Sequence, residues 1–171
     1  HDGDRVVGTG PSMVPLMLDY LKREQEVGWA LRTLRRLLDG PTWVELVLGV
    51  LGNHTSEDCD PEKLEQILRE LQDQKDPRVS AVVARCLEDL DDTVRFAAIE
   101  TLSTIDSEES RAPLLTALTK PDEESQRVRQ RIIEVFRDKA WEVKGFRRAV
   151  EERLPQGWYL DRSGRIKQLE A

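Results

Sequence analysis

The chain has 171 residues, 39 % of them hydrophobic, 35 % charged and only 5 % aromatic, with a formal net charge of −7. This length fits one domain or one unit of a stacked array, and the supply of Leu, Val and Ile excludes global disorder. No run of about 18 apolar residues occurs, which excludes a transmembrane helix; two cysteines, Cys59 and Cys86, exclude a disulfide framework.

In chain order, residues 1–11 contain three glycines and no helical period, and read as a flexible lead-in. Residues 12–24 place Val14, Met17, Leu18 and Leu21 on one helical stripe. Residues 26–38 do the same with Val27, Ala30, Leu31, Leu34, Leu37 and Leu38. Gly40-Pro41 stops that helix and starts the next. Residues 41–51 are apolar almost all round, so this short helix is expected to be the most buried.

Gly52 to Asp60 forms a polar loop. Asp60-Pro61-Glu62 then opens a helix, with Asp as N-cap, Pro in the first turn and Glu facing the positive end of the helix dipole. Asp76-Pro77-Arg78 repeats the signal and introduces Val79, Val82, Val83, Cys86, Leu87 and Leu90. Asp91-Asp92-Thr93 repeats it again before Val94, Ala97, Ala98, Ile99, Leu102 and Ile105. Shorter helical patterns follow with Leu114, Leu115 and Leu118, then Val128, Ile132, Val135 and Phe136. Residues 142–154 carry Val143, Phe146, Ala149, Val150 and Leu154 and are predicted as a last helix. That makes about nine helices and on the order of 65–75 % helix, joined by short loops that force antiparallel neighbours. After Leu154-Pro155 the pattern changes: Trp158 to Lys167 reads as a hairpin around Ser163-Gly164, which must pack Trp158, Leu160 or Ile166 on the last helices to be stable. Residues 155–168 are assigned to this hairpin, and 169–171 to an appended tail.

One stretch is more specific than periodicity. Asp91-Asp92-Thr93-Val94-Arg95-Phe96-Ala97-Ala98-Ile99-Glu100-Thr101-Leu102 resembles the second helix of a HEAT repeat. Arg111-Ala112-Pro113-Leu114-Leu115-Thr116-Ala117-Leu118 resembles the first helix of the next repeat, and Asp122 to Ile133 its second. Val94 and Val128 stand one repeat apart. Asp76-Pro77-Arg78-Val79 is a weaker echo that leaves the upstream register open. The resemblance implies an all-α, right-handed α-α superhelix of helical pairs over residues 12–154, with the short C-terminal β-hairpin added. It also implies a protein-interaction scaffold, non-catalytic and without a cofactor. Alternatives are a nucleic-acid-binding helical-repeat module and a protein similar to the bilin-lyase-like HEAT proteins.

Charge is unevenly spread: residues 1–52 net −1, residues 53–124 net −11 and residues 125–171 net +5. The acid runs fall at helix ends, where capping and the helix dipole favour them. The basic end is the clearest non-structural signal. Arg127 and Arg131 share a helix face, and with Lys144, Arg147 and Trp141 they form the candidate partner-binding set, Trp and Arg being enriched at binding hot spots. An acidic protein partner fits this set, whereas the acidic middle would repel a long polyanion. His54 with Asp58, Cys59 and Asp60 is the one mixed donor group, and it reads as a solvated acidic loop; no metal site is assigned. With only His1 and His54 in the chain, and no phosphate loop after Gly8-Thr9-Gly10, no catalytic set is assigned. The two thiols fit a reducing, cytoplasmic compartment.

Overall fold

In a computed structural model, the backbone is described for residues 2–170 and side chains for residues 13–170. Nine α-helices precede a two-stranded hairpin among these residues: α1 Asp2–Arg23, α2 Gly28–Leu37, α3 Gly40–Gly52, α4 Pro61–Glu70, α5 Pro77–Arg85, α6 Asp92–Ser103, α7 Glu108–Leu118, α8 Gln126–Lys139, α9 Arg147–Glu151, β1 Trp158–Leu160 and β2 Ile166–Gln168. Helix makes up 62 % of the chain, just under the expected range.

The start signals act as capping chemistry predicts. The carboxylate of Asp39 accepts from the Thr42 N–H at 2.9 Å, that of Asp60 from Glu62 at 2.9 Å, that of Asp76 from Arg78 at 2.9 Å and that of Asp91 from Thr93 at 2.8 Å. Each satisfies an N–H that the helix itself leaves orphaned. Pro41, Pro61 and Pro77 sit in first turns, where a missing donor costs nothing.

The helices pack in two layers. Helices α2, α4, α6 and α8 touch in succession to form one layer; α3, α5 and α7 form the other. Pairs α3–α4, α5–α6 and α7–α8 join the layers, so α5 is the first helix of its pair. This settles the register left open by the Asp76-Pro77 echo: it is the start of a first helix, not of a second. Leu31, Leu34, Leu64, Ile67, Leu68, Val83, Ala98, Ile99, Leu102, Leu118 and Ile132 are all fully buried between the layers.

Polar links recur at about one repeat. The Gln66 amide accepts from the N–H groups of Val27 and Gly28 at 2.8 and 3.1 Å and donates to the Gln25 carbonyl at 3.0 Å. The buried Thr101 hydroxyl reaches the Leu68 carbonyl at 2.8 Å. The Asp73 N–H donates to the Thr104 hydroxyl at 2.8 Å. These bonds satisfy groups that stacking removes from water, where an unmade hydrogen bond would be costly.

Four expectations are corrected. Helix α1 runs back to Asp2, through the segment read as a lead-in: glycine weakens a helix by about 1 kcal/mol against alanine without forbidding it. His1 lies outside the described residues. The most buried helix is α6, which buries seven residues, rather than α3, which buries five; α6 touches α4, α8, α5 and α7, whereas α3 lies in the outer succession. Helix α5 ends at Arg85, and a 3-10 turn over Cys86–Glu88 leads to extended backbone at Asp89. That bend swings Leu90 off the core stripe and leaves it 74 % exposed.

The fourth correction concerns residues 142–154. Only Arg147–Glu151 is helical there. Ala140 ends α8 in the left-handed region (φ 54°), and Gly145 (φ 83°) turns the chain again. Between them Glu142 bridges Arg165, and the Val143 N–H donates to the Gly164 carbonyl at 2.9 Å. The apolar residues Val143, Phe146 and Val150 face the core, but from a turn and a short helix. Residues 140–168 are thus tied together as one cap by the contacts of Glu142 and Val143 with Arg165 and Gly164.

The hairpin forms as expected, with Trp158 opposite Gln168, Tyr159 opposite Lys167 and Leu160 opposite Ile166. Ile166 is buried, and Trp158 and Leu160 pack against the core. Asp161 holds the turn, its carboxylate accepting from the N–H groups of Ser163 and Arg165 at 2.9 Å each. Gly164 adopts φ 88° with Val143 close by, a conformation that favours glycine.

Candidate interaction surface

Helix α8 presents Arg127 and Arg131 one turn apart, and α6 presents Asp92, Phe96 and Glu100 at the matching spacing. Because α6 and α8 are neighbours in the same layer, the two stripes meet. The Arg127 guanidinium lies over the Phe96 ring at 4.5 Å and 3.8 Å from the Asp92 carboxylate. Arg131 is ion-paired with Glu100 and lies 3.6 Å from Glu134. The Glu100 hydrogen bond raises the pKa of Arg131 further above its ordinary value, against the opposing effect of burial.

Arg127 remains half exposed in this arrangement. Beside it, a shallow groove of about 410 Å³ crosses the layer, lined by Glu65, Arg69, Gln72, Phe96, Ala97, Glu100 and Arg131. Its charges alternate in sign: Glu65 with Arg69 at 3.6 Å, then Glu100 with Arg131. Such a surface can take a partner that offers both signs, with Phe96 and Ala97 as its apolar lining.

The other three predicted residues lie elsewhere. Lys144 is exposed and borders a small cavity of about 110 Å³ with Glu108, Arg111 and Phe146, on the α7 side. Arg147 is ion-paired with Glu151 at 3.1 Å and donates to the Asp161 carbonyl at 2.9 Å, which ties α9 to the hairpin turn. Trp141 is only 3 % exposed. It packs edge-on to Phe136 at 5.4 Å between ring centroids, with the Arg111 guanidinium 4.9 Å from its ring. Trp141 is therefore a core residue of the cap, not a surface anchor. The structure brings together Arg127 and Arg131 and separates them from the rest.

Much of the basic end is engaged internally. The Arg129 guanidinium donates to the Glu123 carbonyl at 2.5 Å, Arg137 to Gln168 at 2.7 Å, and Arg165 to the Ala140 carbonyl at 2.9 Å. These arginines fasten α8 to α6 and the cap to α8. Phe96, Glu100 and Glu65 are the residues that sequence reasoning misses. A usable signal exists: Glu100 to Arg131 is 31 residues and Asp92 to Arg127 is 35, each about one repeat, so acid and base at equivalent positions become lateral neighbours.

The cysteines lie apart from this face. Burial pushes the Cys86 thiol up to about 12, and burial also raises that of Cys59, so neither favours a reactive thiolate. In the acidic loop, Asp60 caps α4 and the Asp58 carboxylate accepts from the Thr55 N–H at 2.8 Å. Among the described residues no three His, Cys, Asp or Glu side chains gather in metal-binding geometry, and no helix is long and apolar enough to cross a membrane.

Compared with known proteins, residues 48–137 match the family model described as HEAT repeats, a little over half of the chain. No curated protein and no solved structure matches it.

Proposed function

From the chain's membership of the HEAT-repeat family, shown by that match, we propose that it is a non-catalytic scaffold that binds another protein across the α4–α6–α8 layer. Proteins of this kind generally serve as interaction scaffolds, because stacked helical pairs build one long surface from repeated units. The observation that carries the reading is the groove of about 410 Å³ whose lining combines Phe96 with paired charges of both signs. Its side chains are held by their neighbours, so little ordering is needed on contact. A partner carboxylate reaches the exposed side of Arg127, and an apolar side chain meets Phe96.

The double reversal Arg127→Glu with Arg131→Glu tests this. Affinity capture from a source lysate identifies bound proteins, and binding is then measured with purified components at about 0.05 M salt, where screening is weak. Loss of binding is expected, with helicity retained by circular dichroism. Unchanged binding removes this face from the interaction. Preferential capture of an oligonucleotide, with a steep dependence on salt, would replace the protein-scaffold reading with the nucleic-acid one.

A further inference from the structure

We infer that the groove between α5 and α7, where it meets the acidic turns before α6 and α8, docks a basic protein segment carrying one large aliphatic side chain. The groove has a volume of about 530 Å³, and Ala84, Leu87, Pro113, Ala117 and Pro121 form its apolar lining. It lies between α5 and α7, on the layer opposite Arg127 and Arg131. Two of its lining residues are prolines, which offer no backbone N–H. Contact is therefore made by side-chain fit rather than by strand addition.

Charge identifies the occupant. The groove shares Leu87, Glu88 and Lys120 with an adjoining cleft of about 260 Å³. The turns that build this cleft, residues 86–92 and 119–124, hold seven acids against Lys120; of the other bases that line the two cavities, Arg95 is paired with Glu123 and Arg85 lines the groove. Four of the seven are engaged within the fold. Glu123 pairs with Arg95 at 2.9 Å, Asp89 accepts from the N–H groups of Ser56 and Asp91 at 3.1 and 2.9 Å, Asp91 caps α6, and Asp92 faces Ser125 at 3.1 Å. Glu88, Asp122 and Glu124 are exposed and make no ion pair or side-chain hydrogen bond among the described residues. Leu90 stands beside them, 74 % exposed. An apolar groove adjoining a cleft that carries an exposed leucine and free carboxylates matches a segment whose leucine-like side chain enters the groove. Flanking lysines or arginines on that segment meet Glu88, Asp122 and Glu124. The same carboxylates would repel nucleic acid.

The test uses the full chain and a fluorescein-labelled synthetic peptide in which lysine pairs alternate with single leucines, followed by anisotropy at about 0.05 M salt. Saturable binding is expected. Replacing the leucines by serines should weaken it about tenfold or more, the loss of a buried aliphatic contact, and replacing the lysines by glutamates should abolish it. In the protein, Glu88→Lys with Asp122→Lys should weaken binding by about tenfold or more through charge reversal. Leu90→Ser should weaken it less. An unaltered melting curve confirms that each variant is folded. Equal affinity for the leucine and serine peptides, binding that does not saturate, or indifference to the Glu88 and Asp122 reversals would overturn the inference.

Discussion

The middle of the molecule and its C-terminal cap solve the same problem by different means. From Pro61 to Lys139 each helix follows an acidic or hydroxyl residue and buries an aliphatic stripe, and α4 and α6 add polar links to the helix about a repeat earlier. From Ala140 onward nothing repeats. A left-handed residue, three glycines at positive φ, a short helix and a hairpin close the end of the stack over Phe136, Trp141, Val143 and Ile166. A stacked array buries each pair against its neighbours, so its last pair needs a different closure, with a polar outer side. Here the outer side carries Lys139, Lys144, Arg148 and Lys167, all exposed.

The sharpest way to break this comparison is to remove the centre of the cap. Trp141→Ala deletes the buried tryptophan of that region and leaves Phe136 and Arg111 without their ring contact, at a cost of about 3–5 kcal/mol. Chemical denaturation should show that loss. Hydrogen exchange should show it unevenly: protection should fall first in the hairpin and α8, and least in α4, because stability in a stack is passed between nearest neighbours. Equal loss in α4 and α8 would mean that cap and stack are one cooperative unit.

A substitution in the middle gives the complementary result. Ala98 is fully buried in α6, where a small side chain lets neighbouring helices approach. Ala98→Leu should overpack that contact and cost about 1–3 kcal/mol. Exchange should rise on both sides of α6, in α4 and α8 together, since α6 touches both. No loss of stability on denaturation would show that the α6 contact can relax, and that the repeat core is looser than its burial implies.

The same contrast explains what was legible beforehand. The stack was readable because its signals are local: Asp60-Pro61, Asp76-Pro77 and Asp91-Asp92 each cap the helix that follows them, and the 3–4 spacing of Val94, Ala98 and Leu102 needs no knowledge of distant residues. The cap was not readable, because residues 142–154 carry helical spacing while their backbone is set by φ values at Ala140 and Gly145 and by a bridge to Arg165. The burial of Trp141 is hidden for the same reason. A tryptophan among bases fits a hot spot or a core equally well until the partner ring of Phe136 is located. The candidate site was half legible. Arg127 and Arg131 do share a face, but their acid partners lie one repeat away, and only the repeat period could have pointed to Asp92 and Glu100.

The smallest expected effect compares the two regions by acid titration. Asp161 in the cap and Asp76 in the stack both have carboxyl pKa values lowered by hydrogen bonds. The causes at Asp161 are the Ser163 hydroxyl first and then the Arg165 N–H; at Asp76 the cause is chiefly the Arg78 side chain, helped by its N–H. A carboxyl whose folded pKa is depressed contributes stability that is fully present above its unfolded value of about 3.9 and is lost as pH falls through the lower folded value. Both contributions should therefore hold near neutrality and fade only below about pH 4. Both groups lie at the surface, so solvent screening keeps the effect small. They differ in what each holds. Asp161 organises a turn of a hairpin that has only one partner strand, whereas Asp76 caps a helix clamped between α3 and α7. Amide shifts of Ser163 and Arg165 should thus move together on acidification, before those of α5. Asp161→Asn keeps the acceptor oxygen but removes the titrating charge, so it should flatten the hairpin's acid response while leaving α5 unaltered. Simultaneous movement of both sets of amides, in wild type and variant alike, would show that the hairpin has no local acid response of its own.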